Sequence, residues 1–115
     1  MLSSWKHADE DSPMKKTDLV LLDLNSPDFQ RDLFALEKAD QLALLSTLKR
    51  IREMTWAQVY NDSGLKWEAI HSRQGPNGKR LYSFRATKAF RVVGYREGQW
   101  LKILSLHADH NSAYH

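Results

Sequence analysis

Apolar side chains recur every third or fourth position before residue 60 and every second position between residues 65 and 96. That change of period predicts helices first and a sheet afterwards. Ser26-Pro27 marks a helix start, with serine as N-cap, proline at the first helical position and Asp28 in the first turn. Phe29, Leu33 and Leu36 then share a face, with Phe34 beside them. After a break at residues 38–40, Asp40 can cap a second helix from Gln41 to about Met54. Leu42, Leu45 and Leu48 recur along it, Leu44 and Ile51 widen the stripe, and Lys49, Arg50 and Arg52 suit its C-terminal end. The two helices are expected to form an antiparallel hairpin. Thr55 can cap a third short turn over residues 56–60, and residues 61–64 end helical structure. Residues 18–24 read as a short strand or as an apolar plug beside the sheet, and periodicity does not decide between them. Residues 1–16 are polar and aperiodic, a flexible lead-in to a domain expected over residues 17–115.

The second half alternates. Over residues 65–71, Leu65, Trp67, Ala69 and His71 oppose Lys66, Glu68 and Ile70. Residues 74–78 are a turn rich in glycine, proline and asparagine. Residues 80–87 set Tyr82, Phe84 and Ala86 against Leu81, Ser83, Arg85 and Thr87. Residues 90–96 set Phe90 and Val92 against Arg91, Val93 and Tyr95. A turn at residues 96–99 leads into residues 100–106, apolar on both faces and so a central or covered strand. The fold class is α+β: an N-terminal helical hairpin packed on a mostly antiparallel sheet of about four strands.

At 115 residues the chain supports one domain and one core. It has no cysteine, which excludes disulfides, thiolate metal sites and a cysteine nucleophile, and suits a reducing cytoplasm. No apolar run is long enough to span a bilayer, and the start of the chain lacks the apolar core of a signal peptide. Charge changes the picture more. Residues 1–63 hold eight Lys/Arg against eleven Asp/Glu, formally −3. Residues 64–115 hold nine against three, formally +6, and four of the five histidines. A basic sheet of this kind attracts polyanions, nucleic-acid phosphate foremost.

Alternation points to Arg85 and Arg91. If Tyr82, Phe84, Phe90 and Val92 face the helices, both arginines stand on adjacent strands of the opposite, exposed face. Two guanidiniums there can hold a phosphodiester and stabilise the charge that develops on it during cleavage. A merely solvated strand arginine is an equally common outcome for each. His107 and His110 follow the last strand and can serve as general base or acid. Capping the strand end is their structural alternative. A zinc site of His107, Asp109, His110 and His115 fits no strong ligand spacing, so no metal and no cofactor are expected. Glu68 is either a general base or, more simply, the salt-bridge partner of a nearby cation. Lys66, Lys79, Arg80 and Lys88 are candidates for contacts along an RNA backbone. Tyr114 is the best placed aromatic for stacking on a base, whereas Trp67 and Tyr82 suit core packing. Gly75 and Gly78 have the spacing of a KH-type loop but sit in a hairpin.

Residues 64–70 (Gly-Leu-Lys-Trp-Glu-Ala-Ile) and 81–93 (Leu-Tyr-Ser-Phe-Arg-Ala-Thr-Lys-Ala-Phe-Arg-Val-Val) together resemble the RelE/ParE superfamily of bacterial toxins, in its RelE, YoeB and HigB branches. The resemblance covers residues 41–114. It implies a RelE-like fold and a toxin of a type II toxin–antitoxin system that cleaves mRNA on the ribosome without metal. It implies a cognate antitoxin as partner; the charge split adds the expectation of a negatively charged segment that folds on binding over the basic sheet and the helical hairpin. It places Arg85 and Arg91 on the two strand arginines, Glu68 near the acidic position of some members, and His107 and His110 around a tail position held by histidine or tyrosine. Asp109 between them is not a usual tail residue. ParE-type members share the fold without the ribonuclease residues and bind a protein target, so a non-catalytic module, or a plain RNA-binding domain, is the alternative.

Overall fold

Five strands and three helices follow one another through residues 18–108, the part of the chain that the computed structural model describes. Strand β1 (Leu21–Asp23) precedes helices α1 (Pro27–Ala35), α2 (Lys38–Arg52) and α3 (Trp56–Asn61). Strands β2 (Glu68–Gln74), β3 (Arg80–Arg85), β4 (Arg91–Glu97) and β5 (Trp100–His107) complete the order. The sheet runs β1-β5-β4-β3-β2, with β1 parallel to β5 and every other pair antiparallel. The architecture is the expected α+β one, enlarged by a fifth strand. Within residues 18–24, Leu21–Asp23 form that strand while Val20 is buried in the core, and β1 makes β5 an interior strand of the sheet. The 1–16 lead-in and the tail residues Asp109, His110, Tyr114 and His115 lie outside the described residues.

Local chemistry sets the helix starts. Ser26 Oγ accepts the Phe29 N–H at 3.3 Å and donates to the Leu104 carbonyl at 2.9 Å, so one hydroxyl caps α1 and ties it to β5. Thr55 and Gln58 form a reciprocal capping box on α3. Helix α2 begins earlier than the Asp40 cap predicts: Glu37 is its N-cap and Asp40 sits in the first turn, where a carboxylate still suits the helix dipole. Its inward stripe also differs. Leu44, Leu48 and Ile51 are buried, while Leu42 is 56 % exposed and Leu45 46 %. A three-residue recurrence drifts by about 60° per step around a helix of 3.6 residues per turn, so only a 4-3 spacing keeps to one face.

The sheet buries side chains on both faces. Phe84, Val92, Leu101 and Ile103 meet Phe29, Leu44 and Ile51 on the helix side. Trp67 packs there too, stacked on Tyr82 at 4.9 Å between ring centres. Ile70, Leu81, Val93 and Tyr95 form a smaller cluster on the other face, called the open face below. The strand expected from Leu65 starts only at Glu68. Leu65 plugs the helix-side core at 1 % exposure, and Lys66 has a φ of 49°, so the chain kinks before the ladder begins. No described helix is long and apolar enough to cross a membrane.

Candidate functional site

Strand alternation carries three chemistry-bearing residues to one line. Phe84 and Val92 point to the helices, so Arg85 and Arg91 point to the open face, where they are paired directly across β3 and β4. Arg91 is in turn paired with His107 on β5. Side chains directly opposite stand about 4.5–5.5 Å apart at Cβ. Arg85, Arg91 and His107 therefore form a row across three strands, with Ser83, Val93 and Ser105 as the next row.

A β-bulge puts His107 there. Val93 pairs with Ser105 but Gly94 pairs with Ile103, which leaves Leu104 extra. Before the bulge, Leu101 and Ile103 face the helices; after it, Ser105 and His107 share the row positions of Val93 and Arg91. Beyond the short β1, helix α1 covers the free edge of β5. Ser26 takes the Leu104 carbonyl, and Asp32 Oδ2 accepts the Leu106 N–H at 3.1 Å.

The two arginines differ in setting. Arg91 is 4 % exposed, not displayed on the surface as alternation alone suggests. Its Nε donates to Ser83 Oγ at 3.1 Å and its Nη2 to the Lys66 carbonyl at 2.8 Å. Glu68 lies 3.7 Å away, so the carboxylate takes the salt-bridge role. The left-handed turn at Lys66 aims its carbonyl at Arg91. Arg85 is half-buried, and no ion pair or side-chain hydrogen bond holds its guanidinium among the described residues. Like charges directly opposite on a sheet repel. Glu68 offsets one of the two, and an anion over the row would offset the other.

His107 is partly buried, with Nε2 2.9 Å from Ser105 Oγ. Burial holds its pKa below the ordinary 6.5, the Arg73 guanidinium pushes the same way, and Asp32 opposes them. That direction favours the neutral imidazole near pH 7, the form that can accept a proton.

Other expected contacts are dispersed. Lys79 pairs with Glu97 at 3.8 Å, and Arg80 Nη1 lies 2.6 Å from His71 Nδ1. Lys66 contributes its carbonyl, while its side chain and that of Lys88 are exposed. Lys102 is held by Glu97 at 3.1 Å and Asp23 at 3.8 Å, so this end of the open face is internally neutralised. His110 and Tyr114 fall outside the described residues, as do three members of the rival zinc set. Among the described residues no three His, Asp or Glu gather as metal ligands. Ser83, Ser105 and Arg73 join the site without having been singled out in the sequence. For the serines the signal was available: each sits two positions from a row residue on the same strand face.

No protein-family model and no curated protein matches the sequence. Among solved structures, the chain resembles an archaeal RelE–RelB complex from Pyrococcus horikoshii OT3, with a TM-score of 0.54 over 80 % of this chain and 94 % of that one, at 19 % identity. A YoeB dimer from Staphylococcus aureus matches over 80 % and 97 % at 13 % identity, with a TM-score of 0.44. The fold is RelE-like, as the resemblance of residues 64–93 implies.

Proposed function

We propose that this protein is the toxin of a toxin–antitoxin pair, an endoribonuclease that cleaves messenger RNA on the ribosome through the Arg85–Arg91–His107 row. The observation that carries this reading is the cross-strand register that aligns two guanidiniums with a neutral imidazole on one face. In the reaction, neutral His107 takes the proton of a ribose 2′-hydroxyl. The 2′-oxygen attacks phosphorus, the bond to the 5′-oxygen breaks, the leaving 5′-oxygen takes a proton from solvent water, and a 2′,3′-cyclic phosphate forms. Arg85 binds the phosphate oxygens as charge builds on them. Arg91, fixed by Ser83, the Lys66 carbonyl and Glu68, keeps a positive field behind the phosphate. Regulated expression in a bacterium should arrest growth and cut mRNA; normal growth with soluble protein present rejects the proposal.

The same chemistry predicts a pH profile. A base must be unprotonated, and His107 titrates below 6.5. Cleavage should be flat above about pH 7 and fall on the acid side with a midpoint below 6.5. Arg73→Ala removes a repelling cation, so it should move that midpoint upward; an unchanged midpoint would detach His107 from the rate.

For the partner we infer an acidic antitoxin segment steered to the basic half of the chain, as RelB accompanies RelE in the Pyrococcus complex. The burial of Arg91 favours one second reading, a ParE-like module that binds a protein target without cutting RNA. Growth arrest with intact mRNA would select it.

A further inference from the structure

The β2–β3 hairpin does not lie flat. Ile70 pairs with Leu81 and the next pair is Gln74 with Arg80, so residues 71–73 arch out of the ladder. The returning chain presses on the open face: a Cβ on Gly75 would stand 2.6 Å from Leu81 Cδ2. Between this hairpin end and the first turn of α1 runs a cleft of about 310 Å³. Leu104 and Ser105 of β5, Arg73 and Pro76 of the hairpin end and Asp28 of α1 are among the residues that line it. Ser105 is also the partner of His107, so the cleft opens beside the reacting row.

We propose that this cleft takes the nucleobase next to the scissile phosphate, and that Asp28 selects a base with an exocyclic amine against uracil. The inference rests on the ribonuclease reading above. A volume of this order is at the lower end for ligand sites and suits one base. Pro76 and Leu104 offer apolar surface to its faces. Arg73 has no hydrogen-bond or ion-pair partner among the described residues, and a planar guanidinium can stack on a base or hold a flanking phosphate. Selection follows from Asp28. An ionised carboxylate only accepts hydrogen bonds. Cytosine, adenine and guanine each present an amino group to it, whereas uracil presents carbonyl oxygens on both sides of its ring N–H. Arg31 lies 3.3 Å away, and because both side chains are largely exposed the ion pair competes weakly.

Cytosine and uracil are nearly equal in size, so exchanging them isolates the amine. The test is cleavage of messages on programmed ribosomes, with cytosine or uracil at each position around the cut, at a pH where His107 is neutral. At one position cytosine should be preferred about tenfold. Asp28→Asn, whose amide both donates and accepts, should raise uracil to match cytosine. Arg73→Ala should slow both messages and keep their ratio. Equal cleavage of both messages at every position, or an undiminished preference in Asp28→Asn, overturns the base pocket and leaves the ribonuclease reading standing. Absence of cleavage on all messages by folded protein overturns both.

Discussion

His107→Ala should lower cleavage by about 10²–10⁴-fold while leaving the protein folded. The side chain is only partly buried and anchors no core cluster. Its hydrogen-bond partner among the described residues, Ser105, is itself partly open to solvent, so truncation there orphans no buried charge. Arg85→Ala should cost about 10²–10³-fold for the separate reason that it removes a donor to the developing oxyanion. Arg85→Lys should recover part of the loss, because it keeps the charge without the planar fork. Arg91→Ala behaves differently. It removes one hydrogen bond each from Ser83 and the Lys66 carbonyl and one ion pair from Glu68, and it empties a buried side-chain position, so it lowers stability along with rate. Melting curves beside cleavage rates separate the two kinds of loss. A His107→Ala protein that cuts RNA at the parental rate would remove the imidazole from the mechanism.

Much of this was legible in the residues. Alternation in residues 80–96 placed Arg85 and Arg91 together because both strands are regular there and each has one face on the helical core. Ser26-Pro27 and Thr55 announced their helices, since capping is chemistry between neighbours. What alternation cannot show is a departure from itself. Leu101, Ile103 and His107 share parity, so strict alternation would send His107 toward the helices; the extra Leu104 reverses it. The three-residue arch in β2 hid Arg73 in the same way. The burial of Arg91 depends on a kink at Lys66, a residue with no special tendency to a positive φ. Residues 18–24 stayed ambiguous because a three-residue strand carries too little periodicity to separate it from a plug.

Gly94→Ala should abolish the proposed cleavage through that bulge. A Cβ at Gly94 would stand 2.5 Å from the Lys102 carbonyl oxygen and 3.2 Å from the Ile103 Cα. Both obstacles are backbone, so no side-chain rotation relieves them, and β5 must move. Overpacking of this kind costs about 1–3 kcal/mol. A domain of this size should then melt several degrees lower, at about 4 °C or more per kcal/mol. The larger effect is on activity. Gly94 faces the step where β5 gains its extra residue, and that step turns Ser105 and His107 to the arginine row. If β5 retreats, the imidazole leaves the row, and cleavage should fall further than the folded fraction does. Gly98→Ala supplies the comparison. Gly98 has a φ of 63°, and a Cβ there would meet nothing within 4 Å. Alanine at that position costs about 1–2 kcal/mol of backbone strain, at a hairpin tip remote from the row. The two variants should lose similar stability and differ in rate. Full activity in a folded Gly94→Ala protein would show that the bulge does not set the position of His107.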